Sequence, residues 1–399
     1  MHSYVIIGIT DADDPQLSSE ALSAIGRGSV FSGGRRHHEI VRPLLPAGHT
    51  WIDIAPPLDA VFARYAACYG EIVVFASGDP LFFGFANTVL RRDPRAAVRV
   101  LPAFNSLQLL AHRLLLPYQD MRCLSLVGRD WHQLDRALIE RVPLVGILTD
   151  GRHGPEAVAR RMLDYGYGHY TMMTGERLGG SQERVRTLLL SDAAGEQFVQ
   201  PCCVILRATE EMGPRRWGIP DNEFALLDGR DRMITKMPIR LLALQALDLG
   251  GRRVLWDVGF CTGSVSIEAR LQWPHVQVVA FERREEGRSL MSTNSRRFGA
   301  PGIGVSIGDF LDADLRNIAR PDAVFIGGHG GRLGDMLRRV DEVITAGGRV
   351  VMNSVTPQSR VAFERLAAGL GWQLLPPATM ALNDYNPITI LSADVHHSC

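Results

Sequence analysis

Asp257-Val258-Gly259-Phe260-Cys261-Thr262-Gly263 follows the apolar run Val254–Val258 and opens a helical pattern over 264–271. Glycines in such a turn let backbone approach a ligand closely, and the helix behind it starts with free N–H groups. Glu282 ends the next apolar run, 282 − 263 = 19 residues beyond Gly263, where an acidic side chain meets ribose hydroxyls in nucleoside sites. Gly308-Asp309-Phe310 ends the third run, a place for an adenine against backbone and an aromatic ring. These signals at successive strand ends predict a nucleoside-type cofactor held by Gly259, Phe260, Cys261, Thr262, Gly263, Glu282, Asp309 and Phe310. A dinucleotide fingerprint needs G-x-G-x-x-G, and G-F-C-T-G lacks it, which argues against a nicotinamide oxidoreductase. Gly328-His329-Gly330-Gly331-Arg332-Leu333-Gly334 misses that spacing too and reads as a tight turn.

Outward from the turn, short apolar runs alternate with helical patterns, which predicts α/β architecture. Downstream, strands are expected at 276–281, 303–307, 323–326 and 349–353, with a closing pair at 372–375 and 388–393. Helices are expected at 237–247, 285–298, 333–344 and 358–370. Seven strands with an antiparallel finish predict a doubly wound, Rossmann-like sheet of the class I methyltransferase type. Upstream, strands are expected at 4–9, 71–76, 98–101, 121–126 and 144–149, helices at 58–69, 106–115 and 156–165, and a strand-rich finish towards 206. Between the two series, residues 207–233 show little apolar periodicity and hold Gly213-Pro214-Arg215-Arg216 and Asp228-Gly229-Arg230-Asp231, so they read as a linker. The expected division is therefore 1–206, a linker at 207–233, and 234–399.

Composition narrows the function classes. A chain of 399 residues exceeds one ordinary domain, and 46% hydrophobic with 22% charged residues excludes a disordered or fibrous chain. Forty-three basic residues balance 43 acidic ones, so no net field draws the chain to nucleic acid or anionic lipid. No apolar run approaches the roughly 20 residues of a membrane span, and the start lacks signal-peptide character, which predicts a cytoplasmic protein. The six cysteines form no C-x-x-C pair, so no metal is expected. The tail from His396 to Cys399 reads as a frayed terminus. Lysine occurs once, at Lys236; the other 42 basic residues are arginine, which marks Lys236 as a place for a compact ammonium.

The motif sets resemble known families. The turn at 257–263 resembles motif I of S-adenosylmethionine (SAM) methyltransferases, D-x-G-x-G-x-G, with Cys261 at the middle glycine and hence less backbone freedom there. Together with Ile234-Thr235-Lys236 and Arg240, F-I-G-G-H-G-G at 325–331 and G-G-R-V-V-M-N-S-V-T at 347–356, it resembles the decarboxylating, C15-methylating domains of cobalamin biosynthesis. Residues 4–206 resemble the two-lobed class III tetrapyrrole methyltransferases, specifically the C5-methylating type. The resemblance rests on Ala76-Ser77-Gly78-Asp79-Pro80, Gly33-Gly34-Arg35-Arg36-His37, Pro102-Ala103-Phe104-Asn105-Ser106, Gly128-Arg129, Leu148-Thr149-Asp150-Gly151 and Gly175-Glu176-Arg177-Leu178-Gly179-Gly180. The stretch Gly8-Ile9-Thr10-Asp11-Ala12-Asp13-Asp14 departs from that family's glycine-rich start.

The resemblance implies one SAM per domain, bound by Gly8, Gly78, Asp79, Asn105 and Ser106 in the first and by Thr235 with the 257–263 turn in the second. It also implies a precorrin substrate, a small-molecule tetrapyrrole rich in carboxylates. Arg35 and Arg36, with Arg215 and Arg216, are candidate partners for those carboxylates, because the guanidinium fork binds them bidentately. Arg35, Arg36 and Lys236 are the expected catalytic residues, and a homo-oligomer is expected. Two other readings compete: a SAM methyltransferase acting on nucleic acid or protein, and a non-catalytic tetrapyrrole- or SAM-binding protein. The neutral charge and the tetrapyrrole-type first half weigh against the former.

Overall fold

A computed structural model describes residues 2–12, 15–230, 233–382 and 386–396. Asp13, Asp14 and the last three residues of the histidine-bearing tail lie outside these described residues. No described helix is long and apolar enough to cross a membrane. The described chain divides into two compact units.

The first unit holds two five-stranded sheets. One is all parallel, in the order Thr50–Asp53, Val30–Gly33, Glu71–Ser77, Ser3–Ile9, Ala97–Leu101. A parallel sheet is covered on both faces, so its strands read as unbroken apolar runs. In Ser3–Ile9, Tyr4 and Ile6 pack with Val61, Tyr65 and Val89, while Val5 and Ile7 pack with Ala21, Ala24 and Val41. The four-residue strands Val30–Gly33 and Thr50–Asp53 are too short and too polar to have stood out in the sequence. The second sheet runs Arg122–Ser125, Leu144–Leu148, Cys202–Ala208, Tyr170–Glu176, Arg184–Leu189, parallel only in its first pair.

The second unit is built on an eight-stranded sheet. Its path is Ile303–Ile307, Gln277–Glu282, Val254–Val258, Ala323–Ile326, Arg349–Ser354, Ile388–Asp394, Gln373–Leu374, with Ala378–Met380 also paired to Ile388–Asp394. The first five strands are parallel and Ile388–Asp394 is antiparallel, as expected from sequence. The extra strand is the three-residue Ala378–Met380.

Asp231 and Arg232 of the expected linker lie outside the described residues, and the described part of 207–233 is not a free linker. Ile219, Phe224 and Leu227 are buried; Ile219 and Phe224, with Ile234, join Phe260, Ile267 and Met291 in one apolar cluster. The only described elements here are the short 3-10 turns Asp221–Glu223, which Phe224 follows, and Leu227–Gly229, so no helical or strand period revealed the buried residues. Nor do the units part at a single point in sequence, because Trp131–Arg141 and Met162–Tyr167 cluster with the second. There Tyr167 Oη donates to Gly299 O at 2.6 Å, and Arg215 donates to Tyr167 Oη at 2.7 Å and to Ile139 O at 2.9 Å. Arg215 is thus a partnered structural arginine rather than a carboxylate-binding group.

Candidate active sites

In the second unit, parallel strands deliver Gly259, Glu282, Gly308 and Gly327 to one edge of the sheet, the carboxyl end where α/β ligands bind. A cavity of about 370 Å3 lies there, lined among others by Thr235, Gly259, Phe260, Cys261, Glu282, Asp309 and Phe310. Seven residues expected from sequence therefore meet in one place. Thr262, Gly263 and Lys236 are not among the lining residues. Thr262 is buried, and its Oγ1 makes no hydrogen bond among the described residues. Gly263 caps the helix Ser264–Gln272, and Lys236 is the half-buried residue that precedes the helix Met237–Leu247. Phe310 contributes little ring surface: it is 4% exposed and meets Phe281 edge-on at 5.2 Å in the core. Its place as an adenine platform is corrected to a core position at the cavity edge.

Glu282 is 3% exposed and fully engaged. Oε1 accepts from Arg284 N and Nε at 3.1 and 2.9 Å, and Oε2 accepts from Cys261 N and Arg284 Nη2 at 3.0 and 3.1 Å. Burial opposes its ionisation, but the Arg284 and Cys261 hydrogen bonds outweigh burial and hold the carboxyl below its usual range. Two bonds to each oxygen fill the acceptor positions of a carboxylate. The partly exposed Arg284 therefore occupies three of the four acceptor positions of Glu282. Sequence reading missed Arg284, although it stands two residues beyond Glu282. It also missed Arg332, which pairs with Asp309 and holds that carboxyl low. Asp257 is fully buried; one oxygen accepts from Ser266 N and Oγ, while Oδ1 has no partner among the described residues. Burial pushes its carboxyl up to about 7, against the Ser266 hydrogen bonds.

Cys261 adopts φ +50, the left-handed region that L side chains rarely enter. The sequence comparison with a glycine at this place thus has a backbone cause. Cys261→Gly is expected to stabilise the second unit by about 1 kcal/mol and keep SAM binding. Cys261→Val, β-branched at the same φ, should lose both. Thermal unfolding and calorimetric titration check this; a lower midpoint for Cys261→Gly would mean that thiol contacts hold the turn.

In the first unit, a cavity of about 210 Å3 opens at the ends of Ser3–Ile9 and Glu71–Ser77, lined by Thr10, Asp11, Arg36, Gly78, Asn105, Ser106 and Thr149, with residues of the second sheet. A larger cavity of about 480 Å3 shares Asp11, Arg36 and Pro201 with it and adds Arg177 and Gln200. Arg36 spans the two, donating to Ser77 Oγ at 3.1 Å and pairing with Asp11 at 3.0 Å. His37 also meets Ser77 Oγ, at 2.9 Å; burial, then the Arg36 charge, push its pKa down to about 4, so it is neutral at pH 7.

Arg35 does not join this site: its side chain is 93% exposed and pairs with Glu39 one helical turn on. Asp79 is not a lining residue either, and its carboxylate accepts from Leu81 N at 2.8 Å, holding the Gly78-Asp79-Pro80 turn. The Asn105 side chain caps the helix Ser106–Arg113 in a reciprocal pair with Gln108. Gly8 contributes by omission, since a Cβ there would lie 1.9 Å from Gly78 O. Arg177, at φ +46, was inside a quoted motif but was given no role.

A class I Rossmann-like sheet with its cavity at the strand ends, together with a class III unit that has its own, defines a chain of two methyltransferase modules. Residues 4–194 match the family model of tetrapyrrole (corrin/porphyrin) methylases, and residues 228–389 that of the precorrin methyltransferase domain. A Sinorhizobium sp relative named precorrin-6Y C(5,15)-methyltransferase (decarboxylating) is 34% identical over 373 residues, 93% of this chain and 89% of that protein. A cobalt-precorrin-7 C(5)-methyltransferase of Salmonella typhimurium is 30% identical over 203 residues, 50% of this chain and 97% of that protein. A cobalt-precorrin-6B C(15)-methyltransferase (decarboxylating) of the same organism is 38% identical over 133 residues, 33% of this chain and 68% of that protein. The chain belongs to the decarboxylating precorrin-6Y C(5,15)-methyltransferase family.

Proposed function

We propose that the chain methylates a precorrin at C5 and C15 with SAM and removes the C12 acetate carboxyl as CO2, in corrin-ring biosynthesis. The first unit acts at C5, the second at C15 and in decarboxylation, each with its own SAM. The observation that carries this is the second unit's cavity, where Gly259, the Cys261–Glu282 contact and Asp309 converge from three adjacent strand ends. The residues present suit a nucleoside cofactor: Gly259 at φ +83 lets backbone approach a ligand, and Thr235, Glu282 and Asp309 line the same cavity. SAM supplies an electrophilic methyl group on a sulfonium. The conjugated macrocycle supplies the carbon nucleophile, so the chain's own task is to orient substrate, neutralise charge and exclude water. Loss of CO2 leaves an electron pair that a protonated macrocycle accepts, with no covalent catalyst. In the first unit, Arg36 and Arg177 supply the carboxylate-binding charge in place of Arg35. Thr235 binds SAM in the second unit, and Lys236 places its charge at the start of the helix behind it.

The test is an anaerobic assay with precorrin, read by mass spectrometry. The unmodified chain should add two methyl groups and release one CO2. Glu282→Ala should weaken SAM binding in the second unit by on the order of 1.5–3 kcal/mol and slow C15 methylation while leaving the first unit's SAM site intact. Unchanged C15 methylation and SAM affinity in that variant would show the ribose site to be elsewhere.

A further inference from the structure

Beside the cofactor cavity of the second unit lies a larger groove of about 710 Å3, and the two share Gly327, Gly328 and His329 as a common wall. The groove lies beyond the ends of Ala323–Ile326 and Arg349–Ser354. Its far side is the helix Pro357–Gly369, which contributes Ala362, Arg365 and Leu366.

Its chemistry is lopsided. Among the described residues no acidic side chain lines it, whereas Arg365 and His329 do. Arg365 is exposed and has no ion pair or hydrogen bond among the described residues, although nearby arginines are paired: Arg360 with Glu364, Arg338 with Asp335. An unpaired guanidinium at a groove without carboxylates suits an anionic ligand, and its fork suits a carboxylate. Asn353 adds an acceptor of the opposite kind. Its Oδ1 is buried and has no partner among the described residues, and a buried acceptor calls for a donor. Leu366 and the 55%-exposed Val355 give apolar surface for a flat ring. His329 Nδ1 accepts from Gly331 N at 3.2 Å, which leaves Nε2 as the neutral ring's N–H donor in the wall between the two cavities.

We propose that this groove is the macrocycle subsite of the second unit, with Arg365 binding a peripheral carboxylate and Asn353 Oδ1 accepting from a ring N–H. The proposal rests on the function proposed above and deepens it. A tetrapyrrole carries both kinds of group on one flat frame, and the shared wall sets its edge beside the cofactor cavity. Arg365 and Asn353 are specificity-determining residues here; Glu282 and Thr235 belong to the cofactor.

The experiment measures C15 methylation against precorrin concentration, together with SAM affinity by calorimetry, in the full chain and in Arg365→Gln, Arg365→Lys and Asn353→Leu. A lost charge-assisted hydrogen bond corresponds to roughly a 10- to 100-fold change in binding. Arg365→Gln should raise KM for precorrin by about that factor, with SAM affinity unchanged; Arg365→Lys should fall between it and the unmodified chain. Asn353→Leu should raise KM as well. Arg316→Gln, an exposed arginine paired with Asp314, is the control and should do nothing. Unmodified KM in both Arg365→Gln and Asn353→Leu overturns the subsite, as does a parallel loss of SAM affinity. A chain that never methylates C15 overturns the proposed function instead, a result that no comparison among the variants can produce.

Discussion

Arg240→Met, in a chain that keeps Glu268, should destabilise the second unit by on the order of 3–5 kcal/mol, the cost of leaving a buried charge without its partner. Both side chains are fully buried. Arg240 Nε donates to Glu268 Oε2 at 2.6 Å, and Nη1 donates to Asp221 Oδ1 at 3.1 Å and to the Thr235 carbonyl at 2.7 Å. Nη2 donates to the Ile219 carbonyl, and Ile219 N donates to Glu268 Oε1 at 3.1 Å. The guanidinium also lies 5.2 Å from the centre of the Phe224 ring. The pair therefore ties the segment around 219–224 and the carbonyl of Thr235 to the helix that follows the glycine turn. With about 2–4 °C per kcal/mol for a unit of this size, the thermal midpoint should fall by roughly 10 °C.

The double variant Arg240→Met/Glu268→Met separates stability from positioning. Removing both charges should restore much of the midpoint, because an apolar pair of similar volume replaces a buried ion pair at little cost. SAM affinity should stay reduced, since Thr235 lines the cofactor cavity and its carbonyl has lost its anchor. Calorimetry on the refolded double variant decides: full SAM affinity would make the network a purely structural bond.

That network shows where sequence reading stopped. Strand ends were legible because parallel strands are apolar throughout and their carboxyl ends gather the glycines and acids, so Gly259, Cys261, Glu282 and Asp309 were found before any contact was known. The connector was misread because its only described elements are three-residue turns too short to show a period, and Ile219 and Phe224 are buried against the distant Phe260 and Met291. Composition drew the eye to Lys236, yet in the same motif it is Arg240 that is fully buried. Arg35 and Arg36 are adjacent and chemically alike, and only the helix Arg35–Val41 decides that one points to solvent and the other into a cavity. Phe310 was assigned by position along its strand, but cross-sheet packing against Trp256 and Phe281 takes its ring into the core. Arg284 escaped because its pairing with Glu282, two residues earlier, has no signature in the motif spacing.

Gly8→Ala should abolish SAM binding and C5 methylation in the first unit while the second keeps its own SAM site. Gly8 is the penultimate residue of Ser3–Ile9, where three backbone segments meet: Gly78 N donates to Ile9 O at 2.8 Å and Ala103 N donates to Gly78 O at 3.2 Å. A Cβ on residue 8 would lie 1.9 Å from Gly78 O and 2.7 Å from Ala103 N. Both obstacles are backbone, so no rotamer change relieves them, and ordinary contact requires shifts of more than about 1 Å. The parts that must shift carry Gly78, Asn105 and Ser106, all lining the first cavity. A displacement of that size costs on the order of 100-fold in rate even where binding survives. Overpacking adds roughly 1–3 kcal/mol of destabilisation. Gly26→Ala is the matched control: it lies in the helix Ser19–Arg27 with nothing within 4 Å of its Cβ, and should be neutral or slightly stabilising. Calorimetry should count two SAM equivalents in the unmodified chain and in Gly26→Ala, and one in Gly8→Ala, with C5 methylation lost from the mass spectrum. Two equivalents and full C5 methylation in Gly8→Ala would mean that the cofactor of the first unit does not bind where Gly78 and Asn105 meet.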